Sequence, residues 1–193
     1  NSGTEQELFS MDELINTFSF EHVHKSGARF DPEKTKWFNE QYLRIQPINE
    51  LASRLKYAVF KKFNFDTNDL RISDKFLNRA VELLKDRVQF ESELIEKGIY
   101  LFEAPAEYDQ AVIAKKWKPE LVSFFNELTE ALNTVDEFKL SDIDATIKAT
   151  AASKQIKPGE IMQLLRVFIS GQGGGVDLLG MMELLGKEEV NRR

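Results

Sequence analysis

The chain has 193 residues, 42% of them hydrophobic and 30% charged, with a formal net charge of −6. That is the balance of a folded, water-soluble protein with room for one large domain or two small ones. With no cysteine, disulfides and thiolate-held metals are excluded, and with only His22 and His24 a zinc ion would need a carboxylate cluster that the sequence does not offer.

No apolar run approaches the roughly 20 residues needed to span a bilayer, and no secretory leader pattern is present. A chain that begins without Met reads as a cytoplasmic piece of something longer. The acidic total argues against a nucleic-acid partner, but its distribution argues less strongly. Between Lys25 and Lys62 there are nine Lys or Arg and four Asp or Glu, a local balance of +5, which leaves −11 for the remainder. Phosphate responds to the local field more than to the total.

The first 26 residues are acidic, and Ser10 with Glu13 predicts a capping box for a short helix. His22 and His24 share one side of an extended segment; they are either ordinary surface residues or a weak metal pair. Asp31 and Pro32 predict the start of the next helix, with Phe30 packing back as a staple. On that helix Lys34, Trp37, Gln41 and Arg44 share a broad face, and Phe38, Tyr42 and Ile45 form the apolar side. Trp37 beside two lysines is either a core residue or a platform for a base or ribose, with Lys34 and Lys36 at phosphates.

Pro47 opens a helix with Ile48, Leu51, Leu55, Ala58 and Val59 inward. Ser73 caps another, with Phe76, Leu77, Ala80, Val81, Leu84 and Val88 inward. Lys85 and Arg87 near its end suit the negative pole of the helix dipole. A short helix ends at Gly98, an apolar run Tyr100–Phe102 follows, and the break at Pro105 predicts a subdomain boundary. Beyond it lie a short helix over Tyr108–Lys115, another over Pro119–Thr134, and one that Ser141 and Asp144 begin.

Pro158 to Gly186 reads as helix, glycine loop, helix. Ile161, Leu164, Leu165 and Phe168 form one stripe, and Leu178, Leu179, Met182 and Leu185 form the next. Gly171 ends the first helix in the left-handed conformation, and Gly186 ends the second. Arg166 lies off both stripes and is expected to be a free guanidinium. The stretch is either a plain helical hairpin or a bare-backbone shelf for a nucleotide. It is not a phosphate-binding P-loop, because no G-x-x-x-x-G-K-[ST] spacing exists. In all, about ten helices and no alternating strand predict an all-α fold of two packed helical clusters. No nucleophile–base constellation stands out, so the residues describe a binding module.

Two segments carry a resemblance. F-D-P-E-K-T-K-W-F-N-E-Q-Y-L is similar to the F-D-x-x-K-L-x-W-x-N-x-x-Y segment of bacterial glutamyl-tRNA synthetases, a class I aminoacyl-tRNA synthetase family. The end, from L-L-R-V-F-I-S-G through L-L-G-K-E, resembles that family's terminal L-R-x-x-L-T-G … L-G-K-E pattern, with Val176 where the family often has Pro. The resemblance covers essentially the whole chain. It implies a helical cage that grips the anticodon, divided into a stem-contact end and linker helices over 1–46 and two anticodon-binding subdomains over 47–104 and 105–193.

It further implies that Lys34, Trp37, Asn39 and Tyr42 face the tRNA stem, that Arg87 reads the third anticodon base, that Arg166 reads the loop, and that Gly175 and Leu178 close around anticodon bases. The implied partners are the tRNA for glutamate and the protein's own N-terminal catalytic domain, with no membrane, and the expected state is a monomer. H-I-G-H-like and K-M-S-K-S-like residues are missing. The fragment alone is therefore expected to be non-catalytic and without cofactor, whereas the full-length enzyme would use ATP and magnesium. The competing expectation is an all-helical protein-interaction module with no RNA role.

Overall fold

The computed structural model describes residues 5–22, 29–66 and 68–193. Among them there are eleven α-helices and no strand. In order these are α1 (Met11–Thr17), α2 (Pro32–Ile45), α3 (Ile48–Phe63), α4 (Asp74–Leu84), α5 (Glu93–Lys97), α6 (Gln110–Lys116), α7 (Leu121–Asn133), α8 (Leu140–Ser153), α9 (Pro158–Ser170), α10 (Leu178–Leu185) and α11 (Lys187–Arg192). Short 3₁₀ turns occur at Phe20–His22, Leu70–Ile72, Lys85–Arg87 and Ile99–Leu101.

The helices begin and end where their chemistry requires. Ser10 and Glu13 complete the capping box of α1, and Asp31 accepts the Glu33 and Lys34 N–H groups ahead of Pro32. Ser73 caps α4 through the Phe76 N–H, and Pro158 occupies the first turn of α9. The apolar stripes then set the packing. Leu51, Leu55 and Val59 of α3 meet Leu77, Val81 and Leu84 of α4, and Phe124 and Leu128 of α7 meet Ile143 and Ile147 of α8. All of these side chains are buried.

Helix α10 is the seam between the elements on either side of Pro105, since it packs on both α4 and α8. The last residue closes the same seam. The Arg193 guanidinium donates to the Tyr100 and Ile169 carbonyls, both at 2.7 Å, while pairing with Glu189 at 2.7 Å. One side chain thereby ties the Ile99–Leu101 turn to α9 and α11.

Three local expectations fail. Phe30 is 73% exposed and does not staple α2, and Ile45 is 69% exposed, so the inward side of α2 is Leu43. Ser141 lies inside the first turn of α8, whose start is capped from outside: the Leu140 N–H donates to the Glu183 carboxylate of α10 at 3.1 Å. His24 and the side chain of His22 lie outside the described residues.

Candidate nucleic-acid interface

The glycine loop between α9 and α10 is held at both ends and open in the middle. Gly171 takes a left-handed φ of 78°, and its carbonyl accepts the Asp109 N–H at 2.8 Å. A Cβ there would stand 2.5 Å from the Glu107 carbonyl oxygen and 2.8 Å from Pro105, so only glycine permits this approach. At the other end Val176 is buried in the core, and Asp177 caps α10 by accepting the Gly180 N–H at 2.6 Å. Between these anchors Gly174 faces open space.

One face of α9 grips the loop from below. Gln163, Arg166 and Ser170 stand three or four residues apart, which places them one above another on the helix. Gln163 donates to the Gly173 carbonyl at 3.4 Å, and Arg166 donates through Nη1 to the Val176 carbonyl at 2.5 Å. The Ser170 hydroxyl donates to the Arg166 carbonyl at 2.8 Å and accepts the Gln172 N–H at 3.3 Å. Arg166 is therefore not the free guanidinium that its position off the stripes suggested. It is half-buried and braces the loop with one of its donors, leaving the others of its five for a ligand.

Arg87 lies near enough for its charge to act on Tyr100 and Arg166. It sits on the Lys85–Arg87 turn that follows α4 and is exposed, and its guanidinium has no hydrogen bond or ion pair among the described residues. The turn is fixed in three ways. Lys97 donates to the Arg87 carbonyl at 2.9 Å, Lys85 to the Gln46 carbonyl at 2.6 Å, and Arg44 pairs with Asp86 at 3.7 Å.

Tyr100 and Arg166 both border Gly175. Tyr100 is buried, and burial pushes its hydroxyl above the usual tyrosine range, against the pull of the Val176 backbone and then of the Arg166 and Arg87 charges. Burial likewise holds the Arg166 guanidinium below its usual range. Tyr100 opposes that shift, Arg87 adds to it, and Asp177 opposes it. Two cations from separate elements thus act on each other and on one phenol.

Gly175, at φ 142°, borders both groups: a Cβ there would lie 3.6 Å from Arg166 Nη1 and from the Tyr100 hydroxyl, in van der Waals contact with each. A donor-rich recess with one protonated phenol, two arginines and a bare backbone can receive the acceptor edge of an unstacked base.

The structure sets Arg166 against Gly175, with Arg87 near enough for its charge to act on Arg166. It does not do the same for Leu178, which is 3% exposed and is a core residue at the first turn of α10. It sets the loop's exit and offers no surface to a base. On α2, Trp37 stands 38% exposed, edge-on to Phe38 at 5.0 Å, so it is not sealed in the core. Its neighbours are engaged within the chain. Lys34 pairs with Glu7 at 2.8 Å, and the Tyr42 hydroxyl donates to the Phe9 carbonyl at 2.8 Å and accepts its N–H at 3.2 Å. Asn39 donates to the Gln89 carbonyl, two residues from Arg87, so α2 helps to position that turn.

Sequence reading missed Tyr100, Gln163, Ser170 and Asp177. Asp177 just before an apolar helical stretch carried a cap signal. Gln163 and Ser170 were readable as the i−3 and i+4 neighbours of Arg166. Tyr100 carried no signal within its apolar run.

The family model described as anticodon binding domain matches residues 50–193. The chain is 36% identical over 195 residues to the glutamate–tRNA ligase of Chlorobaculum parvum, covering 99% of this chain and 39% of that protein. It is 36% identical over 194 residues to the glutamate–tRNA ligase of Cytophaga hutchinsonii, covering 100% and 36%. Its fold is similar to the crystal structure of a glutamate tRNA ligase from Elizabethkingia meningosepticum solved in complex with its amino acid, with a TM-score of 0.85, 36% identity, and coverage of 97% of this chain and 36% of that one. The chain thus spans less than two-fifths to about two-fifths of the length of these relatives.

Proposed function

This chain belongs to the anticodon binding domain family, and on that premise we propose that it serves as the anticodon-gripping part of a glutamate–tRNA ligase. Attachment of glutamate to its tRNA, with ATP and magnesium, would fall to the part of the ligase outside these residues. The partners are the tRNA for glutamate and that catalytic part, and the working state is a monomer.

What supports this reading is the Arg166 guanidinium and the Tyr100 hydroxyl set against the bare backbone at Gly175, with the Arg87 charge acting on both. Arg87 is the reader of the third anticodon base. Its exposed fork offers donors only. Glutamate anticodons end in C, whose pairing edge presents two acceptors and one donor. Glutamine anticodons end in G, whose edge presents two donors and one acceptor. A mismatched polar edge in a closed recess costs about 1–3 kcal/mol, a tenfold to hundredfold preference. Arg166 holds the loop and offers its remaining donors to it. Trp37 supplies an aromatic face toward the stem, with Lys34 beside it once Lys34 exchanges Glu7 for phosphate.

Binding of the chain to a glutamate anticodon stem-loop, titrated with salt, tests the reading. Affinity should weaken about tenfold between 50 and 200 mM salt, as two or three released counterions require. It should also exceed that for a glutamine stem-loop, and Arg87→Gln should erase the difference. No salt-dependent binding would leave the chain as a protein-interaction module, and unchanged selectivity in Arg87→Gln would remove Arg87 as the reader.

A further inference from the structure

We propose that the apolar face of α1, together with Ile45, is the seat on which the remainder of the ligase packs. The inference rests on the reading of the chain as part of a longer ligase, and it assigns the surface through which the two parts become one body.

The first observation is a concentration of exposed apolar side chains. Sixteen large apolar residues stand exposed among the described residues, and eight of them fall before residue 46. The opening quarter of the chain thus carries as many as the other three quarters together. The rest of the molecule buries its stripes, so this is a local property.

Second, the exposed residues are patterned. Met11, Leu14, Ile15 and Phe18 recur at i, i+3, i+4 and i+7, which is one face of a helix. They stand 72%, 46%, 66% and 63% exposed, and α1 has no buried residue at all. A seven-residue helix is far below the length at which a helix holds itself in water, so its stability has to come from packing of its apolar face. Among the described residues Phe18 meets only the exposed Phe20 ring, edge-on at 5.3 Å, and the face is otherwise largely open. Only its entry is fixed, by the Tyr42–Phe9 bonds and the Lys34–Glu7 pair, which hold it over α2 beside Ile45. Leu8, Phe9, Met11, Leu14, Tyr42 and Ile45 line the resulting groove.

Third, the extent of the matches indicates the occupant. The anticodon-binding family model starts at residue 50, whereas the ligase relatives match the chain from end to end. Residues before 50 therefore belong to the portion of those ligases outside the anticodon-binding unit, and the relatives carry more than half of their length beyond this chain. The same stretch adds chemistry: Glu5, Asp12 and Glu21 stand exposed in it with no ion pair among the described residues. The occupant is an apolar surface edged by Lys or Arg and belonging to the ligase's own preceding part.

Hydrogen exchange compares the 193-residue chain with the longer ligase. In the longer protein the amides of residues 11–18 should exchange at least about tenfold more slowly, and Ile15→Asp should return them to the rate of the chain alone. Equal rates in the two proteins overturn the proposal. So does sedimentation of the 193-residue chain as a dimer that Ile15→Asp dissociates, because the face would then belong to a second copy. Anticodon stem-loop binding by the chain should be the same with and without Ile15→Asp. Loss of RNA binding by the unsubstituted chain would therefore fail the functional reading while leaving the exchange result to decide this one.

Discussion

Arg87 and Arg166 act on the same recess, but the structure gives them separable energetics. Arg166 is part of the fold: its Nη1 donates to the carbonyl of buried Val176. Arg166→Ala removes that charge-assisted bond and leaves a carbonyl without its donor, a loss of about 1–3 kcal/mol. For a chain of this length that is roughly 2–10 °C in Tm. The Arg87 guanidinium is exposed and bonded to nothing among the described residues, so Arg87→Ala should stay within about 0.5 kcal/mol of the parent. Both substitutions should weaken stem-loop binding. Arg166→Lys keeps the charge but loses the planar fork, and should recover affinity only in part. Thermal melts and stem-loop titrations on the three variants form the assay. The reasoning is refuted if Arg166→Ala melts with the parent, or if Arg87→Ala loses as much stability as Arg166→Ala.

Gly171→Ala meets a left-handed φ and a carbonyl oxygen 2.5 Å from the new Cβ, and should cost at least about 2 kcal/mol in urea unfolding. Gly174→Ala, with nothing within 4 Å, should lie within about 0.5 kcal/mol of the parent in the same measurement. Glu189 is held below its usual value of 4.5 first by Arg192, with Arg193 adding to it. A depressed carboxylate stabilises the fold above its unfolded value and loses that stabilisation as pH falls through the folded value. Glu189→Gln should therefore lower Tm at pH 7 and flatten the loss between pH 5 and 3, which a melting series across that range would check. Finally, Glu7→Gln releases Lys34 from its ion pair and should tighten stem-loop binding a few-fold at low salt; unchanged or weaker binding would place Lys34 outside the interface.

The fold was legible because the chain states its helices twice, in apolar period and in caps. Ser10, Asp31, Ser73, Pro158 and Gly171 each end or begin a helix where expected. Phe30 and Ile45 are apolar residues that stand exposed among the described residues, although a staple position and helical period placed them inside. Ser141 has cap chemistry but lies one residue past Leu140, whose N–H donates to Glu183, a residue distant in sequence. The site was half legible. Arg87, Arg166 and Gly175 could be singled out from pattern and resemblance, but their placement depends on Tyr100 and on packing between α9 and the Ile99–Leu101 turn, which no local signal encodes. Leu178 matched a motif position and turned out to be core, because a motif preserves spacing and not direction.

The charge distribution resolves how an acidic chain can face RNA. The basic stretch up to Lys62 suggested a positive face, yet Lys34, Lys36, Arg44, Arg54 and Lys56 all pair with carboxylates. Several of those partners lie outside the stretch, as Glu7, Asp74 and Glu91 do, so the net local charge overstates the field that a ligand meets. These pairs are exposed or nearly so, and each is worth about 0–1 kcal/mol. A phosphate that approaches Lys34 therefore replaces a carboxylate at little cost. The recess is different. There half-buried Arg166 sits beside a buried phenol, neither it nor exposed Arg87 is bonded to a carboxylate among the described residues, and the partial burial of Arg166 reduces screening. On the proposed reading, specific affinity would come from two cations and a bare loop, and exchangeable surface pairs would add the salt-sensitive remainder. A net charge of −6 is compatible with that arrangement, because long-range repulsion is screened over about 8 Å at physiological salt while the contacts in the recess are not.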